Sequence, residues 1–276
     1  MAKIDRLGWA AGFVFTAYGV RAGVRVNDPQ IIGRLLECLP PGWRFARGAA
    51  VERIYSVVIG GAGAHAGTRR FHLLYGNAER LARTHDLAEL LMRFESDVKL
   101  YVAEGARRRV FVHAGVVGWR GRAILLPGQS FSGKTTLVTE LVRAGATYYS
   151  DEYAVLDARG LAHPYPRPLS VRVAEKPGAV KKMRAEELGG QAGVKPLPVG
   201  AVVMSHYKSG ARWRPVRLTA GQGALSLLAH TVSARRQPDK ALVSLGRVME
   251  RAVAFKSLRG EARETAARVL ALLEAV

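Results

Sequence analysis

The apolar and polar positions of residues 1–108 predict a small domain that mixes strands and helices. Runs in which apolar and polar side chains are interspersed predict strands over 18–26, 51–59 and 70–75. The rest of this region holds two segments with the spacing of helices, so we expect a small α/β domain.

Two helices are predicted in this first domain. Asp28 is suited to an N-cap and Pro29 to the first helical position, which predicts a helix over 30–38 that Pro40-Pro41-Gly42 stops. A second helix is predicted from Leu87 towards Tyr101, because apolar residues recur there on one face. They are Leu87, Leu90, Leu91, Phe94, Val98 and Tyr101.

The pattern changes after the basic stretch 105–109, so we expect domains over 1–108 and 109–276. Strands are predicted over 110–112, 123–126, 147–150 and 153–156, and a helix over 135–144 follows a glycine-rich turn. Gly145 stands where a left-handed residue ends a helix. This order of elements is typical of the start of an α/β nucleotide-binding sheet.

The rest of the second domain is expected to begin with a proline-rich loop over 163–168 and to continue with a strand over 201–206. Helices are predicted over 225–229, 242–254 and 261–275.

The N-terminus has a superficial likeness to a signal peptide, because Lys3 and Arg6 precede the apolar stretch 7–15. No convincing small-residue cleavage site follows, and we expect a buried or half-buried strand pair there. No apolar run approaches the ~20 residues of a membrane span. Cys38 is the one cysteine, which excludes an internal disulfide and favours a reducing cytoplasm; we expect it to pack in the core.

The chain carries 42 Lys and Arg against 22 Asp and Glu, a net charge of +20. Such a surplus favours acidic partners: phosphates, acidic peptides, nucleic acid or anionic lipid. The basic residues are scattered and no nucleic-acid-binding motif accompanies them, so nucleic acid is not the expected partner. A solvated surface is the plainer interpretation of most of this charge.

The strongest motif is a phosphate-binding loop of the form G-x-x-x-x-G-K-[ST], and it is formed by Gly128-Gln129-Ser130-Phe131-Ser132-Gly133-Lys134-Thr135. Glycines let backbone N–H groups converge on the phosphates of ATP or GTP, and the first turn of the next helix, which includes Thr136, adds its positive end. Lys134 would neutralise the β- and γ-phosphates, and the Thr135 hydroxyl would face Mg²⁺.

A hydrolase nucleophile at Ser130 or Ser132 is the rival interpretation of this turn. The nucleophile elbow requires G-x-S-x-G, and Ser132 stands where the second glycine would be needed after Ser130. The phosphate-binding loop is therefore the preferred interpretation.

Asp151 and Glu152 directly follow the strand predicted over 147–150, and we expect that strand beside the one that carries the loop. Adjacent acids at the end of a sheet strand can supply a metal ligand and a base for a substrate hydroxyl. His113 follows the strand predicted over 110–112 and precedes Ala114-Gly115. Taken alone, a histidine there is more often a packing or hydrogen-bonding residue.

Together, the His-x-Gly, the loop and the acid pair resemble the HPr kinase/phosphorylase family and its relatives, which include kinases of lasso-peptide precursors. The separations of His113 and Asp151 from Lys134 agree with the family pattern. The resemblance implies a P-loop kinase sheet like those of HPr kinase and PEP carboxykinase, with ATP and Mg²⁺ as cofactors.

The resemblance also implies roles for single residues. Lys134 would polarise the transferred phosphate, and Thr135 would hold the metal, with Asp151 as a further candidate ligand. Asp151 would be the general base, Glu152 would support metal or substrate, and His113 would lie against the phosphates or the acids.

The chain departs from the family at two points. Glu152 stands where HPr kinases have Asp, and their C-terminal signature is not recognisable after Pro168. HPr as substrate and the reverse phosphorylase reaction are therefore not implied. Arg167 and Arg172 are candidates for phosphate contacts, and Arg259-Gly260-Glu261 is a weaker one that would also suit the start of the last helix.

The expected function is transfer of the γ-phosphoryl group to a hydroxyl, most simply a serine of a peptide or small protein, for which an acidic segment would suit the net charge. Two alternatives stay open at this point: a kinase of a free small molecule such as an amino acid or sugar, and a non-catalytic nucleotide-binding module. The sequence does not settle the oligomeric state, and a homo-oligomer is among the options.

Overall fold

The computed structural model describes residues 8–61, 71–129, 132–172 and 180–274, with the side chain of Arg172 left out. Ser130 and Phe131 of the predicted loop lie outside the described residues. The chain is a mixed α/β protein with several sheets. It divides into two compact units, Met1–Arg107 and Arg108–Val276.

The first unit holds a six-stranded sheet in the order β3-β1-β2-β4-β5-β6. The strands are β1 (Ala11–Ala17), β2 (Val20–Val26), β3 (Arg44–Phe45), β4 (Arg53–Val58), β5 (His72–Gly76) and β6 (Glu79–Thr84). β1 and β2 pair antiparallel, which confirms the strand pair expected near the N-terminus. Tyr18 (φ 52°) and Gly19 (φ 86°) make the turn between them.

Two helices complete the first unit, α1 (Ile32–Glu37) and α2 (Leu87–Gly105). The Asp28 carboxylate accepts a hydrogen bond from the backbone N–H of Gln30 at 3.0 Å, so Asp28 caps the helical segment that follows it, as expected. The first turn, Pro29–Ile31, is a 3₁₀ turn rather than the start of the α-helix. One face of α2 carries Leu90, Phe94 and Val98 into the core of the unit.

The second unit holds an eight-stranded sheet that runs β11-β10-β7-β8-β14-β16-β15, with β9 also paired to β7. Its strands are β7 (Val110–Trp119), β8 (Arg122–Pro127), β9 (Thr147–Ser150), β10 (Tyr153–Leu156), β11 (Leu161–His163), β14 (Leu197–Tyr207), β15 (Val216–Leu218) and β16 (Val253–Arg259). A separate hairpin is formed by β12 (Leu169–Arg172) and β13 (Val180–Met183). β8, β14 and β16 are parallel neighbours.

Helices cover both faces of the large sheet. They are α3 (Lys134–Arg143), α4 (Ala220–Leu228), α5 (Pro238–Met249) and α6 (Ala262–Glu274). Along β8, Ile124 and Leu126 pack in the core with α3 and α6, while Leu125 packs in the core with α4 and α5. Because successive side chains of a strand face opposite sides, a strand covered on both faces needs the continuous apolar run seen here.

Three predictions about this unit were wrong in part. β7 is ten residues long, so His113 lies inside the strand and not at its end. The helix predicted over 242–254 stops at Met249, and Val253–Arg259 forms a strand, β16, that was not predicted. β9 was expected beside the strand that carries the loop, but it pairs with β7, and β7 separates it from β8.

The predicted helix after the loop is confirmed with small shifts of its ends. It runs over Lys134–Arg143, and Gly145 has the left-handed conformation (φ 97°) expected after it. None of the helices in the described ranges has the length and apolar content that a membrane span would need.

Gly115 sets how closely α3 approaches the sheet. A Cβ atom at this position would lie 2.5 Å from Cγ2 of Val138, a buried side chain of α3. No real pair of carbon atoms packs at that distance, so only glycine permits the observed contact between β7 and α3.

We predict that Gly115→Ala lowers the free energy of unfolding by about 1–3 kcal/mol, the usual cost of overpacking. Gly246→Ala is the matched control, since nothing lies within 4 Å of a Cβ atom there. That control should be neutral or gain roughly 0.5–1 kcal/mol as a helical Gly→Ala change. Urea unfolding of both variants tests this.

The double variant Gly115→Ala/Val138→Ala separates the proposed clash from other effects. It should lose less stability than the sum of its two single variants, because the methyl group that the new Cβ meets is gone. A Gly115→Ala variant as stable as the wild type would show that α3 is not positioned by this contact.

Candidate nucleotide site

The predicted phosphate-binding loop joins the end of β8 to the start of α3. Gly133 is left-handed (φ 83°) and directly precedes the first residue of the helix. The first N–H groups of a helix have no acceptor within the helix, and together with the helix dipole they favour an anion. The start of α3 therefore offers backbone donors of the kind that a phosphate site would use.

Lys134 folds back over the loop. Its ammonium donates hydrogen bonds to the carbonyl oxygens of Gly128 at 2.7 Å and Gln129 at 2.6 Å. Burial lowers the pKa of Lys134, and the carboxylates of Asp151 and Glu152 act in the opposite direction. The charge thus lies within the loop and close to the acid pair.

Asp151 is held by two hydroxyl groups. Its Oδ2 accepts a hydrogen bond from Thr135 Oγ1 at 3.1 Å, and its Oδ1 lies 3.0 Å from the Tyr148 hydroxyl. Tyr148 is also 2.8 Å from the carbonyl oxygen of Arg167. Burial raises the pKa of Asp151, while the two hydroxyl contacts lower it in part. The acid is fixed at the N-terminal end of α3.

The Thr135 and Asp151 oxygens fit a magnesium ion that also binds nucleotide phosphates. Two neighbouring ligands of an octahedral Mg²⁺ lie about 2.9 Å apart, because each Mg–O distance is about 2.0–2.1 Å. The 3.1 Å between Thr135 Oγ1 and Asp151 Oδ2 is close to this value. Among the described residues, no three His, Cys, Asp or Glu side chains form a metal cluster, so phosphate oxygens would have to complete the shell.

The backbone of β7 connects the acid pair to the loop. The carbonyl of His113 accepts the N–H of Gly128 at 3.2 Å, and the N–H of Ala114 donates to the carbonyl of Glu152 at 3.2 Å. Ser150 Oγ accepts the N–H of Glu152 at 3.1 Å and so stabilises the turn that carries both acids. The separate sequence motifs therefore meet at one end of the sheet.

The ring of His113 packs against Tyr153, with 4.8 Å between the ring centres. Burial lowers the pKa of His113, the Lys134 charge lowers it further, and the Glu152 carboxylate opposes both. A histidine with a lowered pKa is neutral at pH 7, so His113 can exchange hydrogen bonds with a phosphate or an acid but does not add a positive charge.

Arg259 is the site residue that sequence reasoning underrated. It ends β16, the strand that was not predicted, and only 2% of its surface is exposed. Its Nη2 donates to the carbonyl of Gly133 at 2.9 Å, and its guanidinium lies 5.4 Å from the ring centre of Tyr207. Arg259 thus fixes the second glycine of the loop from the opposite end of the chain.

The remaining candidates divide as follows. Gly128, Gln129 and Ser132 are in the described part of the loop and Thr136 is in the first turn of α3, and each of them borders a cavity. Arg167 contributes its backbone carbonyl to Tyr148, while Ser130, Phe131 and the Arg172 side chain lie outside the described residues. Glu261 accepts a hydrogen bond from the Tyr207 hydroxyl at 3.0 Å.

No protein-family model and no curated protein matches the chain. Among solved structures, 28 chains match. One is the Hpr(Ser) kinase/phosphatase from Coxiella burnetii, at 12% sequence identity and a TM-score of 0.32. The match covers 60% of this chain and 94% of that one. At such a TM-score the similarity carries no argument about the site, and the residue roles stay predictions.

We predict that Arg259→Met weakens both the fold and the loop. The carbonyl of Gly133 loses its buried donor, which costs about 1–3 kcal/mol of unfolding free energy. Nucleotide affinity should fall as well, because the loop is less well fixed. The control is Arg263→Met, which removes an exposed arginine from α6. Urea unfolding and titration with ATP·Mg²⁺ measure the two effects, and wild-type values for both would contradict a positioning role.

Proposed function

We propose that the protein is an ATP-dependent phosphotransferase that acts on a hydroxyl group. The observation that carries the proposal is the placement of Asp151 against Thr135 at the start of α3, with Lys134 in the same loop. A phosphate cradle, a cation and a fixed carboxylate are the parts that phosphoryl transfer needs, since its catalysis is mostly positioning and electrostatics.

The loop would bind the nucleotide through its backbone. The N–H groups at the start of α3 would hold the phosphates. Lys134 would exchange its hydrogen bonds to the carbonyl oxygens of Gly128 and Gln129 for contacts with oxygens of the β- and γ-phosphates. Thr135 and Asp151 would hold Mg²⁺. The bound ion would neutralise the negative charge that develops on the phosphates during transfer.

The chemical step would be a direct transfer. The acceptor oxygen forms a bond to the γ-phosphorus while the bond from that phosphorus to the bridging β–γ oxygen breaks, and ADP leaves with the electron pair. The proton of the hydroxyl passes to a carboxylate. We assign that role to Asp151, because hydroxyl contacts fix its orientation at the start of α3 and burial raises its pKa, which favours uptake of a proton.

Glu152 would have a supporting role. It is half-buried, and its charge acts on both Lys134 and His113. It would therefore balance the positive charge of the loop and help to orient metal or acceptor. His113, neutral at pH 7, would donate or accept a hydrogen bond beside the transferred group.

The proposed acceptor is a serine in a peptide or small protein. The net charge of +20 supports an acceptor with acidic residues. If turnover is faster with a free amino acid or sugar than with any peptide, the substrate is a small molecule and not a peptide. If the protein binds nucleotide but turns over no acceptor, it is a nucleotide-binding module and not an enzyme.

We predict that Lys134→Ala removes most nucleotide affinity and all transfer. Loss of one charge-assisted contact is worth about 1.5–3 kcal/mol, or roughly ten- to hundredfold in the dissociation constant. Lys208→Ala, a change at an exposed lysine, is the control. Isothermal titration with ATP·Mg²⁺ measures both, and an unchanged affinity in Lys134→Ala would refute the loop assignment.

We predict that Asp151→Asn keeps nucleotide affinity within a few fold but lowers turnover by about 10²–10⁴, the usual contribution of a positioned acid–base group. The amide retains the shape, the contact with Thr135 and an oxygen that can still face Mg²⁺, but it cannot take a proton. Glu152→Gln should have a smaller effect, and added Mg²⁺ should restore part of it. Acceptor phosphorylation is measured together with binding of labelled ATP.

The pair of variants also distinguishes the two acids. If Glu152→Gln abolishes transfer while Asp151→Asn retains it, Glu152 is the base. If both variants turn over normally, carboxylate-assisted transfer at this site is wrong.

A further inference from the structure

Two cavities flank the loop on opposite sides. The strand-end cavity, of about 600 Å³, lies where β14 and β16 end and reaches Gly128 and Gln129. The helix-side cavity, of about 610 Å³, is bounded by Gly133, Thr136 and Arg259 among others. Both lie within the second unit, and the proposed function assigns an occupant to neither.

The loop itself indicates which cavity each substrate uses. Its backbone N–H groups cradle the α- and β-phosphates, and its lysine reaches the β- and γ-phosphates. The helix-side cavity adjoins Gly133 and Thr136, at the start of α3, so it lies at the nucleoside end. The Lys134 ammonium lies beside the carbonyls of Gly128 and Gln129, which both border the strand-end cavity, and it would turn from them to phosphate oxygens on the same side of the loop. The γ-phosphate would therefore face the strand-end cavity.

The polar groups around the strand-end cavity are cationic or proton-donating. Arg214 and Lys256 supply fixed positive charges, while His206 and His230 supply ring nitrogens. No Asp or Glu borders the cavity within the part of the chain that the structure describes. An anionic group would be attracted here, and a positively charged one would be repelled.

The same cavity has apolar walls. Met204, Val216 and Leu258 border it, and Val216 and Leu258 are 64% and 48% exposed. Exposed apolar side chains next to cations suit a ligand that has both apolar and negatively charged groups. A peptide segment with an acidic residue has both, whereas an inorganic anion would contact the cationic side chains alone.

We propose that the strand-end cavity is the acceptor site and that it selects a serine flanked by acidic side chains. The inference rests on the proposed function, because the position of the γ-phosphate defines which cavity holds the acceptor. Arg214 and Lys256 pair with the carboxylates of the peptide. The serine hydroxyl extends out of the cavity towards Lys134, which interacts electrostatically both with His230 of the cavity wall and with Asp151, the proposed base. The serine then meets the phosphate on the side of the loop opposite the nucleoside.

The test compares two blocked peptides, Ala-Asp-Ser-Asp-Ala and Ala-Asn-Ser-Asn-Ala, on the full chain. Binding of labelled peptides is measured with and without ADP·Mg²⁺ at low and moderate salt. The wild type should prefer the acidic peptide by about tenfold, or about 1.4 kcal/mol, which two exposed ion pairs can supply together. Moderate salt should reduce the preference.

The variant Arg214→Gln/Lys256→Gln should remove most of this preference while ADP affinity stays at the wild-type value. Both side chains are exposed, so the fold should be retained, which the thermal midpoint checks. The control Arg251→Gln/Arg268→Gln removes the same charge from exposed positions outside the cavity and should keep the preference. This control separates the cavity from the net charge of the protein.

Each outcome decides the proposal. Equal affinity for the two peptides, no measurable binding of the acidic peptide, or equal loss in both double variants would overturn the assignment of the cavity. Failure of the proposed function is distinguishable, because it would appear in the wild type as absent ADP binding, or as ADP binding without transfer from ATP to any acceptor. An acidic preference that is lost only in Arg214→Gln/Lys256→Gln supports the acceptor site.

Discussion

The close contact between α3 and β7 is the constraint on which the candidate site depends. Gly115 has no side chain, and the helix packs against the strand at that point, with Val138 in the space a Cβ atom would occupy. This contact positions the first turn of α3 beside the turn that follows β9, and so Thr135 reaches Asp151. The acid pair is separated from β8 by β7, and the hydrogen bonds of β7 to Gly128 and to Glu152 bridge that separation.

The loop is held from a second direction by the C-terminal part of the chain. Arg259 donates to the carbonyl of Gly133 and lies against the ring of Tyr207, and both residues are at the ends of neighbouring parallel strands. The loop is therefore held at Gly128 by β7 and at Gly133 by Arg259, which favours a site formed before any ligand arrives. Such preorganisation is how phosphoryl-transfer sites gain their electrostatic effect.

Much of this arrangement could be predicted from local sequence signals. The spacing of glycines around Lys134 and the apolar run 123–126 predicted the strand, the loop and the helix, because each signal depends on neighbouring residues only. The strand β16 was missed since Val253–Arg259 follows a helix without a glycine or proline between them. The role of Arg259 and the position of β9 could not be predicted, because both depend on pairing between distant segments. The roles of single residues in catalysis, and ATP and Mg²⁺ as cofactors, stay predictions.

The central claim is that this loop binds a nucleotide through its β- and γ-phosphates together with a metal ion. The most direct measurement is calorimetric titration of the wild-type protein with ATP in the presence of Mg²⁺, with ATP in the presence of a chelator, and with AMP. The account predicts that ATP·Mg²⁺ binds about a hundredfold or more tightly than AMP, since AMP lacks the two phosphates that Lys134 and the metal would contact. Removal of Mg²⁺ should weaken ATP binding. Equal affinities for ATP and AMP, or no binding of ATP, would contradict the account.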